Sequence, residues 1–158
     1  MAVGVFIATV VDIRSRRIPN ALTASMAGAG IGFAATGLSG VSLTAAAVGF
    51  VLGLVLMLPG HALGATGAGD VKLMAAVGAI VGPALVVKAF LFTALAGGVL
   101  ALIVAARRKR LAVTVGGTAR MIAAPVAARR EIQSATSASR FAYGPAIAVG
   151  SVIAALVG

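Results

Sequence analysis

The segment GATGAGDVKLMAAVGAIVGP, residues 64–83, carries a single acidic residue, Asp70, at the head of an apolar run that ends in Gly82-Pro83. The run at 71–82 reads as a helix, and Gly-Pro reads as a tight break between it and the next. A second apolar run, 84–106, begins at once. A carboxylate is costly beside so much hydrocarbon, and Asp70 needs a reason to be there.

The rest of the chain agrees with this lipid-adapted segment. Of 158 residues, 61% are hydrophobic, and the mean hydropathy is +1.13. Both lie well beyond a soluble globular domain. Apolar runs fall at about 1–13, 21–37, 41–59, 71–82, 84–106 and 141–157, several of them near the roughly 20 residues that cross a bilayer. They predict an all-α polytopic membrane protein with six transmembrane helices in one domain over 1–158.

Two of the runs are short. Only 11 residues precede Asp12, about 17 Å of helix at 1.5 Å per residue. The first helix must therefore continue through Asp12 toward Arg14, or start further upstream. The 71–82 run suits a helix surrounded by others. Pro19-Asn20 reads as a helix start, because Asn is a good N-cap and Pro tolerates a first turn. Glycine and alanine, as in AGAGIGFAATG (27–37), let helices approach closely in lipid.

Thirteen Lys and Arg stand against three Asp and Glu. With the N-terminus outside and six alternating spans, the loop at 12–20, Lys72 and the basic segment 107–140 fall on the cytoplasmic side. Only Lys88 is left near an outer helix end, where it can snorkel. Residues 111–128, interrupted by Arg120 and Pro125, fit a helix lying in the interface better than a seventh span. The Arg107–Arg110 run reads as a stop signal at the cytoplasmic surface.

The excess positive charge thus points to anionic lipid headgroups. Nucleic acid is not expected as a partner, since the aromatic residues lie mostly inside apolar runs. No cysteine is present, and His61 is the only histidine. That leaves no disulfide, no thiol nucleophile and little with which to hold a metal, and no cofactor is expected. The opening MAVGVFIATVVD lacks a basic n-region and reads as a retained helix rather than a cleaved signal. His61 reads as a loop residue.

Asp12 and Asp70 are the only aspartates. Three crossings separate them, so the threading returns both to one face at nearly one depth. Acidic groups in such places usually face a bundle interior or a wet cavity. Two carboxyls brought together share a proton, and the pair can then work as an aspartic-protease dyad. Two other readings remain open on these residues. Asp12 can neutralise Arg16 and Asp70 can N-cap its helix, or both can serve a proton-coupled carrier.

The wording of the two segments adds to this. GAGDVKLMAAVGA (67–79) resembles the GxGD motif of the type IV prepilin peptidases, and DIRSRRIPN (12–20) resembles the other half of that signature. FAYGPAIAVG (141–150) is similar to a Tyr-Gly-Pro stretch opening the family's last helix. The resemblance implies that Asp12 and Asp70 are the catalytic aspartates of an intramembrane aspartyl endopeptidase of the cell membrane, working at the cytoplasmic face. Its substrates would be prepilins or pseudopilins, with a short basic leader, a glycine before the cut and then an apolar helix.

Arg17, Ile18, Pro19 and Asn20 belong to the first motif, and Gly67, Gly69 and Lys72 to the second. Gly67 and Gly69 would let the backbone approach an extended peptide, or merely supply positive φ. Lys72 would tune the pair or touch headgroups. Without cysteines or an extra cytoplasmic domain, the chain resembles the short branch associated with Flp (tight-adherence) pili, with peptidase but no methyl-transfer activity.

Overall fold

The computed structural model describes residues 1–15, 17–107 and 143–157. Every regular element among them is helical: α1 (Ala2–Ser15), α2 (Asn20–Ala35), α3 (Leu43–Ala62), α4 (Ala68–Arg107) and α5 (Gly144–Val157). The interfacial helix expected at 111–128 lies outside the described residues. So do Arg16 and the basic run beyond Arg107. By length and composition, α3 and the stretch Ala68–Leu100 of α4 can each cross a membrane.

Element α4 is not one rod. Gly82 has φ 81° and ψ 178°, outside the helical region and open only to glycine without strain. Proline follows, with no N–H to give back to the preceding turn. The chain folds back there. A methyl added at Gly78 would lie 3.2 Å from Val86 Cγ2, although eight residues of straight helix span about 12 Å. The break predicted at Gly82-Pro83 is therefore real, and the described residues form six helical limbs. The first helix continues through Asp12 to Ser15, as its length required.

The limb 68–81 is the centre of the bundle. Val71 and 73–77 are all buried, as is Ala79, and Leu73, Met74 and Val77 have no exposure at all. Helices α2, α3 and α5 pack around α4, while α1 packs chiefly on α5. Lipid tails are as apolar as leucine, so contact here depends on close fit rather than on escape from water. The sequence of α3 obeys that rule. Ala46, Gly49, Gly53 and Met57 face inward, whereas Val48, Val51, Val55 and Leu58 face out. Apart from Met57, small residues sit inside and large apolar ones outside, the reverse of a soluble helix.

The fit is closest where glycines oppose each other. A methyl at Gly49 would collide with the Gly78 carbonyl, and one at Gly53 would lie 2.5 Å from Met74 O. Within 27–37 the packing is more selective than expected. Gly30 abuts Ala79 and Ile80, but Gly28 and Gly32 have open space, and Gly37 turns the chain with φ 73°.

Two helix ends differ from expectation. Helix α3 runs through Pro59 and includes His61, so His61 is not in a loop. The proline forfeits its own bond to the preceding turn, and the residues after it still make theirs. At α2 the N-cap is Pro19, with φ −61° and ψ 134°, and no side chain caps. Its carbonyl accepts from Leu22 and Thr23 N–H. Asn20 is the first helical residue, and its side chain is engaged elsewhere.

Candidate active site

Asp12 and Asp70 are both buried, each with 6% of its surface exposed. Asp12 sits in the last turn of α1, facing the same side as Val5 and Ala8. Its Oδ2 accepts a 2.9 Å hydrogen bond from the Gly144 N–H, the first residue of α5. The amides at a helix start are unpaired and carry partial positive charge, which suits a carboxylate. One turn back on α1, the Thr9 hydroxyl donates to Val5 O and, at 3.3 Å, to Gly144 O. Gly144 is thus held from both its N–H and its C=O by α1. It must be glycine, since a methyl there would lie 2.8 Å from Asp12 Oδ2.

Asp70 is the third residue of α4, so it does not occupy the N-cap position. Its Oδ2 reaches back to the Gly67 N–H at 2.9 Å, the acidic half of a capping box. The side chain therefore satisfies one orphan amide at the start of the central limb. It is also within electrostatic reach of both Asp12 and His61. His61 in turn pairs Nδ1 with Thr66 O at 3.0 Å, closing the α3–α4 turn.

The two motif segments meet. Gly69 packs on Ile18, where a methyl would lie 3.1 Å from Ile18 Cβ. Lys72, which is exposed, donates from Nζ to Asn20 Oδ1 at 2.8 Å. Asn20 thus serves as an acceptor for α4 instead of a cap for α2. Gly67 and Gly69 are not needed for positive φ, which occurs at Gly64 instead. Gly67 keeps room for the Asp70 carboxylate, 3.2 Å from where its own Cβ would be. Arg17 and Pro19 are exposed in the connecting turn, and Arg17 O accepts from the Ser15 hydroxyl. They shape that turn without touching either carboxyl.

Residues of the Tyr-Gly-Pro stretch complete the site. Besides Gly144, Tyr143 lies within reach of the Asp70 charge, with its hydroxyl pressed against Gly97, where a methyl would be 2.5 Å away. Thr9, Tyr143 and Gly144 were not singled out as site residues from sequence. The signal was available in the Tyr-Gly-Pro spelling at a helix start. Among the described residues, no three His, Cys, Asp or Glu side chains gather where a metal could sit.

This arrangement offers two sequestered carboxyls, each steadied by a different backbone amide, with α4 joined by polar and apolar contacts to the 12–20 segment that begins with Asp12. Such a pair can exchange protons with a water and a bound peptide. No curated protein and no solved structure matches the chain. A family does: the type IV leader peptidase family matches residues 1–102, which contain both aspartates and both motif segments. The chain belongs to the type IV leader peptidase family.

Proposed function

We propose that this protease is an aspartyl endopeptidase of the cell membrane. It hydrolyses the bond after the leader glycine of prepilins or pseudopilins, with Asp12 and Asp70 as its catalytic pair. The ionised aspartate takes a proton from water, and the protonated one donates to the scissile carbonyl. The resulting tetrahedral species collapses as the leaving amine is protonated. Six spans with the N-terminus outside set this pair at the cytoplasmic face, where a basic leader would emerge. Gly67 leaves room for the Asp70 carboxylate and Gly69 lets the first motif segment pack close beside it, and Lys72 with Asn20, Arg17 and Pro19 holds the two motif segments in register. Substrates of the Flp class fit a chain whose sequence holds no cysteine.

The observation that carries this reading is the joint burial of two aspartates in segments tied by Ile18–Gly69 and Asn20–Lys72. A purely structural reading draws on the Asp70–Gly67 bond, which is a capping contact. One substitution separates the two. Asn removes the charge and keeps an acceptor.

The chain would be co-expressed with a Flp-type prepilin from the same genome, as wild type and as Asp70→Asn, and the prepilin's size followed. Cleavage by wild type alone supports the dyad. Cleavage by both removes Asp70 from the chemistry. Uncleaved prepilin in both, with the protein present in membrane, favours a scaffold or a proton-coupled carrier.

A further inference from the structure

Between α1 and α5 runs a groove of about 560 Å³, lined by Val3, Val5 and Phe6 on one side and Ala148, Val149 and Val152 on the other. Its walls are apolar. Exposed valines are ordinary on a lipid-facing helix, so exposure alone assigns nothing. Shape and register do more.

Both walls lead to one point. On α1, Val5 lies seven residues before Asp12, two turns away on the same face. On α5, Ala148 and Val152 follow Gly144 by four and eight residues, one and two turns along the helix. Gly144 and Asp12 are themselves hydrogen-bonded at 2.9 Å. At 1.5 Å per residue, the groove spans roughly 6–15 Å from the Asp12 carboxyl. It is the continuation of the carboxyl's own helix pair toward the membrane interior.

We propose that this groove seats the apolar helix of the substrate, the part that follows the cleaved bond. The proposal rests on the peptidase reading above. A helix tethered to a bond at Asp12 must pass within about one helix diameter, 10–12 Å, of that side chain. Its residues about 4 to 10 after the cut then lie at the depth of the groove. Helices associate in lipid by shape rather than by hydrophobic drive. A concavity with a small floor at Ala148 and rims at Phe6 and Val149 therefore offers a passing helix more contact than the flat neighbouring faces. A lipid tail or a second copy of the chain could fill the same space, but neither is required to lie beside Asp12.

The chain has no cysteine, so single thiols report single positions. Val152→Cys, in an Asp70→Asn background that leaves prepilin uncut, would be labelled with benzophenone maleimide and irradiated in membranes holding a Flp-type prepilin from the same genome. Val55→Cys on α3, 52% exposed on an outward face, serves as the control.

The expected result is a prepilin adduct at least tenfold stronger from position 152. Its site should map within residues 4 to 10 after the leader glycine. Equal adducts at both positions overturn the proposal. So do adducts to lipid or to a second copy in place of prepilin, while wild type still cleaves. If wild type cleaves no prepilin, the peptidase reading itself fails.

A second variant reads the same site by kinetics. Val152→Trp fills the groove, and is expected to slow cleavage of full-length prepilin about tenfold. It should leave unchanged the cleavage of a short peptide that stops before the apolar helix. Equal loss on both substrates would mark a disturbed fold and count against docking.

Discussion

Replacing Asp12 by Asn and by Ala separates its chemistry from its architecture. The Gly144 N–H is buried and its acceptor is Asp12 Oδ2 at 2.9 Å. Asn places a carbonyl oxygen in the same position and keeps the bond, in the weaker neutral form. It also removes the cost of a buried charge, so the two changes oppose each other. Ala leaves the buried amide without its protein acceptor, at a cost of about 1–3 kcal/mol. Both variants lose proton transfer, which contributes typically ~10²–10⁴-fold. Prepilin cleavage in proteoliposomes should therefore fall at least ~100-fold for each. In detergent, only Ala should lower the thermal midpoint markedly. If Asn retained more than about a tenth of the wild-type rate, Asp12 would have no place in the chemistry. If Asn lost as much stability as Ala, the hydrogen bond to α5 would not be what the side chain contributes.

Other substitutions test the remaining contacts. Gly144→Ala pushes a methyl against Asp12 Oδ2, and should cut leader cleavage more than tenfold while the protein still accumulates in membrane. Gly49→Ala meets the backbone of Gly78, cannot be relieved by a rotamer change, and should destabilise by about 1–3 kcal/mol, measured as a lower thermal midpoint. The Thr93 hydroxyl is buried with no hydrogen-bond partner among the described residues. Thr93→Val keeps the shape, and should leave stability unchanged or raise it by about 1 kcal/mol in the same assay. Lys72→Met breaks the exposed bond to Asn20. It should cost no more than about 1 kcal/mol, with a fewfold loss of cleavage from looser register between the two motif segments.

The helical architecture was legible because lipid imposes a simple requirement on sequence. Each apolar run had to be helix to satisfy its own backbone, and the Gly82-Pro83 break was readable from two residues with one conformational meaning each. Helix ends were less legible. The apolar run points to an end near residue 59, yet three more residues follow Pro59 in α3, because a proline removes its own backward hydrogen bond but leaves the later residues free to make theirs. Asn20 looked like a cap, but capping preference is a local property, and the Lys72 ammonium that engages it comes from 52 residues away.

The candidate site divides in the same way. Asp12 and Asp70 stood out by rarity and by motif. Their partners did not, because what holds Asp12 is a backbone amide, and an amide has no letter in the sequence. Gly144 was visible only as part of a spelling. The positions of Thr9 and Tyr143 depend on how α5 docks, and local pattern does not encode that.

The bond between Asp12 and Gly144 also sets an order of events. The two residues are 132 positions apart, so Asp12 emerges from the ribosome long before the amide that receives it. Until α5 enters the bilayer, α1 carries a buried carboxyl without its helix terminus, and the groove beside it has only one wall. On the proposed catalytic role of Asp12, hydrolytic competence would arrive only once α5 is in place, and a nascent chain halted before α5 would be expected to be inert toward its neighbours in the membrane.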